Sequence, residues 1–195
     1  NKGGEIGAKA FGGYAKGNKW SAGSELNAKY TGVKDVELAA MVKGKYESNA
    51  DKKIIIESKP SVSYTGLKNT TISASVENKV ELKHDTMVQT VKFEDYTAKP
   101  EISASYKYAV TEDLTLMPKI KVGTELNYKK LSDADKEEAK VYATPELGLT
   151  YKPISGLTLS AKAELPIELK AKKGFAVATD LVIKAKGKVA VKYEW

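Results

Sequence analysis

Apolar and polar residues alternate one for one along most of this chain. "SELNAKY" sets Leu26, Ala28 and Tyr30 against Glu25, Asn27 and Lys29. "TISASVENKVEL" sets Ile72, Ala74, Val76, Val80 and Leu82 against Ser73, Ser75, Glu77, Lys79 and Glu81. "LTLSAKAELPIEL" does the same with Leu157, Leu159, Ala161, Ala163, Leu165, Ile167 and Leu169. Successive side chains of a strand point to opposite faces, so this period predicts half-buried β-strands; wound as helices, the runs would spread their charges around the whole circumference. About ten strands are predicted, near 4–14, 20–31, 35–47, 53–65, 70–82, 96–109, 114–129, 139–151, 157–170 and 182–195. One short helical turn is expected in "LSDADKEEAK", where Ser132 has the chemistry of an N-cap.

The connections fall into two alternating sets. One is a tight family: "YTGVKDVEL" from Tyr30, "YTGLKNTTI" from Tyr64, "YAVTEDLTL" from Tyr108 and "YKPISGLTL" from Tyr151. The other is polar and varied, as in "AKGNKW" and "KHDTMVQTVKFED". In an up-and-down meander each set belongs to one end, and an even strand count leaves both termini at the tight-turn end. Pro60, Pro100 and Pro145 recur in "KPSVSY", "KPEISASY" and "TPELGLTY". Proline cannot donate to a ladder, so these positions predict bulges or strand entries.

Composition narrows the setting. The chain of 195 residues has the length of a single domain, and its 42% hydrophobic content contains no run long enough for a transmembrane helix. There is no cysteine, and no apolar leader stands at the start; an exported protein would have lost its leader before this sequence begins. All 32 basic residues are lysine and the formal net charge is +7. The lysines are interleaved with glutamates rather than gathered in a basic run. With no arginine to read bases and no aromatic stacking platform, nucleic acid is not an expected partner.

Alternation does not say which face is inside; the aromatics do. Tyr30, Tyr64, Tyr106, Tyr108, Tyr151, Tyr193 and Trp195 lie at the tight-turn end of their strands. Tyr14, Trp20, Tyr46, Tyr96, Tyr128 and Tyr142 lie at the other end, and strand middles hold Ala, Val, Leu and Ile. A soluble core places large rings centrally, where they bury most area. Rings at both ends of an apolar band fit two membrane interfaces. The expectation is therefore an all-β, antiparallel, up-and-down transmembrane β-barrel of about ten strands, with eight or twelve as the alternatives. The short "Y…LTL" turns, the "TPELGLTY" strand and the ending "VAVKYEW" resemble those of bacterial outer-membrane β-barrel proteins. That resemblance implies the bacterial outer membrane as location. It also implies the outer-membrane assembly machinery as a partner, engaged through the C-terminal strand.

The inward face of such a barrel receives Glu25, Lys29, Lys43, Glu57, Lys79, Glu101, Lys119, Lys121, Glu125, Glu146, Lys162, Glu164, Lys184, Lys186, Lys188 and Lys192. Cross-strand Lys–Glu ladders would fill a narrow barrel, while the lysine excess near the C-terminus favours anions in a narrow pore. Ten-stranded barrels include the omptin proteases, which pair loop carboxylates with a histidine. Here His84 beside Asp85, with Asp133 and Asp135 on another loop, has no evident cleft, and the plain reading is a solvated turn histidine. "DADKEE" lacks the glycine and spacing of a calcium loop. No enzyme activity, cofactor or metal is expected. Rim lysines (Lys16, Lys19, Lys52, Lys53, Lys129, Lys130, Lys140, Lys172 and Lys173) suit lipopolysaccharide phosphates. Two other functions fit the same alternation: a soluble up-and-down barrel holding an apolar ligand, and a barrel subunit of a larger envelope complex.

Overall fold

The computed structural model describes residues 3–15, 19–48, 52–85, 90–131, 134–172 and 177–193. They form one antiparallel sheet. Its segments are β1 (Gly4–Ala15), β2 (Lys19–Val33), β3 (Val36–Glu47), β4 (Lys53–Tyr64), β5 (Thr70–Asp85), β6 (Thr90–Tyr106), β7 (Tyr108–Ala109), β8 (Leu114–Leu131), β9 (Ala134–Ile154), β10 (Leu157–Glu164), β11 (Ile167–Lys172), β12 (Val177–Ile183) and β13 (Lys186–Tyr193). From β1 to β6 each pairs with the next; β6 and β7 pair with β8, β8 with β9, β9 with β10 and β11, and β10 pairs with β13 as β11 does with β12. Three breaks of one or two residues separate β7 from β6, β11 from β10 and β13 from β12. Counted by length, the described residues therefore make a meander of about ten strands, as the alternation predicts.

The sheet is not closed. Among the described residues β1 has β2 as its only partner, while β12 and β13 have only β11 and β10. The expected barrel is corrected to an open sheet with two free edges. Both edges expose apolar side chains of the same face, Ile6 at 86% and Val189 at 78%.

Three other expectations change. The helical turn in "LSDADKEEAK" is strand instead: β9 starts at Ala134 and pairs Leu131↔Ala134 through Lys129↔Lys136 with β8, while Ser132 and Asp133 lie outside the described residues. An antiparallel hairpin continuing from β8 adds ladder hydrogen bonds to a strand already formed, whereas an isolated helical turn must first be nucleated for a single bond. Second, residues 83–95 and 171–181, readable from sequence as either loop or strand extension, include paired strand, since Asp85↔Thr90 and Lys172↔Val177 extend two hairpins. Third, the prolines do not sit at bulges. Around Pro60 the β4–β5 ladder passes from Ser58↔Asn78 to Ser61↔Ser75, and around Pro100 the β6–β8 ladder passes from Ala98↔Leu126 to Glu101↔Gly123. Pro145 faces the break between β10 and β11 in the same way, with Glu146↔Glu164 on one side and Ala143↔Ile167 on the other. Register is kept and only donors are missing, as a ring without N–H requires.

The tight turns share a backbone device. Asp35, Asn69 and Gly156 hold the same place in three copies of the repeat, one residue before the next strand, with φ of 58°, 59° and 81°. Gly, Asn and Asp are the residues that adopt this left-handed conformation most easily. The fourth copy turns differently: the Thr111 hydroxyl accepts from the amides of Asp113 (3.3 Å) and Leu114 (3.0 Å). In both "YTG" copies the tyrosine ring lies over the glycine two residues on, so that a Cβ on Gly32 or Gly66 would run into it.

Candidate functional site: the charged face

Most strands put their charges on one face and their aliphatic residues on the other, Met41, Ile55 and Val182 being exceptions on the charged face, and the two faces differ in accessibility around Glu146. The Glu146 side chain is 4% exposed, while its neighbour Leu147, on the opposite face, is 49% exposed. Leu26, Leu38, Val42, Ile102, Ile120, Val122 and Leu126 are exposed too. A flat sheet would expose both faces alike, so around Glu146 this sheet curls over its charged face and turns its aliphatic face outward, while Lys29, Glu37, Lys59 and Glu77, farther off, stay 44–48% exposed. No hydrophobic core fills the inside: among the described residues only Ala98, Ala139 and Pro166 are buried apolar ones.

The charged face is a lattice of ion pairs. Lys43 bonds Glu57 directly across β3–β4 at 2.9 Å, and Lys59 meets Glu77 across β4–β5 at 3.4 Å. Lys29 reaches Glu37 at 2.8 Å, and Lys79 pairs with Glu81. Lys99 and Lys140 flank Glu125 at 3.5 and 2.9 Å. Lys121 and Lys162 clamp Glu146, the second at 3.0 Å, and Lys162 also pairs with Glu164. These pairs follow from the pleat: opposite charges placed directly or diagonally across neighbouring strands, or two residues apart on one strand as Lys79–Glu81 and Lys162–Glu164 are, share a face and meet without bending the backbone. Glu25 accepts from Asn27 (2.8 Å) and Glu101 from the Tyr142 hydroxyl (3.1 Å).

The predicted inward residues thus share one face, but unevenly. Lys119, Lys186 and Lys188 make no ion pair among the described residues, although Lys119 stands opposite Glu146 and Lys186 opposite Glu164. Lys192 stands opposite Thr158. Lys184 falls in the break between β12 and β13, where its amide donates to the Pro166 carbonyl at 3.0 Å. Positive charge accordingly gathers toward β13.

Two inward aromatics are surprises. Tyr142 belongs to the charged face and not to the outer ring of aromatics: its hydroxyl bonds Glu101, and its ring lies beneath Lys140 and over Gly123, its cross-strand partner. Phe11 covers its own partner Gly23 in the same way, with Lys43 above it. The signal was readable as an aromatic at a charged-parity position opposite a glycine.

The remaining aromatics among the described residues keep to the aliphatic face at two levels. Tyr30, Tyr64, Tyr106, Tyr108, Tyr151 and Tyr193 pair with strand positions beside the tight turns. At the other end Tyr14 faces Trp20, Trp20 contacts Tyr46 at 5.2 Å, Tyr96 faces Tyr128, and Tyr128 contacts Phe93 at 5.7 Å. Trp195 lies outside the described residues. The few polar groups of this face satisfy one another, Tyr96 donating to Asn78 (3.1 Å) and Asn78 to Ser58 (3.3 Å).

His84 is not in a turn; it lies in β5 opposite Val91, its parity that of Leu82 on the aliphatic face. A strand ladder continuing past Leu82 leaves it no turn to occupy. Among the described residues no three His, Asp or Glu side chains gather as a metal site. Comparison with known families found no family model that matches the chain, and no curated protein matches it either.

Proposed function

We propose that the chain is a small bacterial outer-membrane β-barrel with a Lys/Glu-lined lumen, acting as a narrow, anion-leaning pore or as a structural component of the envelope. One observation carries this reading: the charged face is the sheltered one and the aliphatic face is turned outward. Water disfavours that arrangement and lipid rewards it. The two levels of Tyr and Trp then mark the two interfaces. The free edges complete the picture. β1 and β13 run antiparallel, and an unpaired edge in hydrocarbon costs several kcal/mol for each backbone group. Lipid therefore drives their closure, with Ile6 and Val189 meeting the acyl chains.

A lumen crossed by Lys–Glu pairs is narrow, as expected for a barrel of about ten strands. Its lysine excess along β13 favours anions. Lys19, Lys52 and Lys53, at the rim away from the tight turns, suit lipopolysaccharide phosphates. The C-terminal strand is the segment for the assembly machinery to recognise. The alternative of a soluble barrel with an apolar ligand needs the aliphatic face inside, opposite to the exposures observed.

The test compares unheated with boiled protein on a gel, after extraction in detergent. A compact band that shifts on boiling, in protein that needs detergent to stay dispersed, supports the proposal. Protein monodisperse in plain buffer overturns it.

A further inference from the structure

On the charged face, β6, β8, β9, β10 and β13 together line a cleft of about 450 Å³. Lys119, Lys162 and Lys188 line it, with Glu146 as its single carboxylate. Glu146 is already held by Lys121 and Lys162, so Lys119 and Lys188 bring charge that no carboxylate among the described residues offsets. Hydroxyls of Ser105, Thr150 and Ser160 stand among the amines, and Gly148 leaves the floor open. The Ser105 and Thr150 hydroxyls make no hydrogen bond among the described residues. Three ammonium groups against one carboxylate leave an excess of two positive charges. Ringed by hydroxyl donors, that excess matches a divalent oxyanion, with two charges and several separated acceptor oxygens, better than a halide, which brings one charge on one atom.

We propose that this cleft binds a soluble phosphate-class oxyanion, with Lys119 and Lys188 as the principal charged contacts and Ser105 and Thr150 as hydroxyl donors. Lys162 orients the site, since its ammonium is divided between Glu146 and Glu164. The inference rests on the charged face being a sheltered lumen and deepens it: the pore, or plug, holds its anion here.

Inorganic phosphate is titrated into the full chain in a phosphate-free maltoside detergent and followed by calorimetry. The heat-shifted gel band is recorded on every sample. The expected result is saturable binding that sulfate competes and chloride does not. Lys119→Met and Lys188→Met should each weaken it about tenfold, the size of one lost charge-assisted hydrogen bond, and Lys68→Met, in a turn, should leave it unchanged. Samples that keep the compact band but bind no phosphate overturn the site and leave the barrel standing. Equal binding by wild type and both lysine variants overturns it too, as does binding seen only with anionic phospholipid. Loss of the compact band in wild type instead refutes the barrel reading itself.

Discussion

Glu146 gives the sharpest test of how the charged face is held. Its carboxylate is the most sheltered charge described, clamped by Lys121 and Lys162, whose side chains are 27% and 43% exposed. Glu146→Gln keeps the shape and removes the charge, leaving both ammonium groups facing a neutral amide. Breaking a fully buried pair costs about 3–5 kcal/mol, and an exposed pair is worth about 0–1 kcal/mol. With one partner sheltered and two half-solvated, about 2 kcal/mol is expected. For a chain of this length that lowers the unfolding midpoint by about 4–8 °C. The assay is loss of strand circular dichroism on heating in detergent, alongside Glu37→Gln. Glu37 and its partner Lys29 are equally exposed, so that substitution should leave the midpoint where it is. Equal midpoints for Glu146→Gln and wild type would refute the idea that a sheltered ion-pair lattice supports the sheet.

Other consequences can be measured in the same preparation. Gly123→Ala would drive a Cβ to 2.6 Å from both the Pro100 carbonyl and the Tyr142 hydroxyl, so it should lower the midpoint, and by more than Gly7→Ala, where a Cβ meets nothing within 4 Å. Asn69→Gly relieves a left-handed residue with φ of 59° and should be neutral or stabilising, whereas Asn69→Val should lose about 1–2 kcal/mol in the unfolding midpoint. Val122→Lys puts a charge at mid-height on the outward face and should cost about 2–4 kcal/mol in a lipid-embedded sheet, seen as reduced recovery of the compact gel band. An unchanged yield would count against lipid contact there.

Much of the register was legible because the pattern has a period of two. Once Lys43 and Glu57 share a parity and only a few residues separate β3 from β4 in sequence, their meeting is close to forced. The tight turns were legible from the repeated tyrosine-led frames, but their shared left-handed residue, Asp35, Asn69 or Gly156, emerged only with the backbone. Polar hairpin ends were not legible. In "DADKEEAK" the cue for a strand was drowned by charge, because the inward face of this sheet is itself made of Lys and Glu and therefore looks like a loop. Tyr142 was misplaced because terminal position alone was read, without its parity or its partner Gly123. The prolines were misread for a physical reason: a missing donor interrupts one ladder without requiring an extra residue, so Pro60 and Pro100 leave gaps and the bulges fall elsewhere, as between Glu81 and Leu82. Edge closure was beyond the pattern, since alternation is the same in an open and a closed sheet.

Closure is the central claim, and the absence of native cysteine makes it directly measurable. Cysteine pairs are placed on the outward faces of the two edge strands, Val189→Cys with Ile6→Cys, Ala8→Cys or Ala10→Cys in turn, and oxidised in detergent or lipid. A closed barrel predicts that one register gives an efficient intramolecular disulfide in monomeric protein, reversed by reductant, since bridging needs Cα atoms within about 7 Å. If every pair stays reduced, or links only separate chains, in protein that is otherwise folded, the sheet remains open and the barrel account is contradicted.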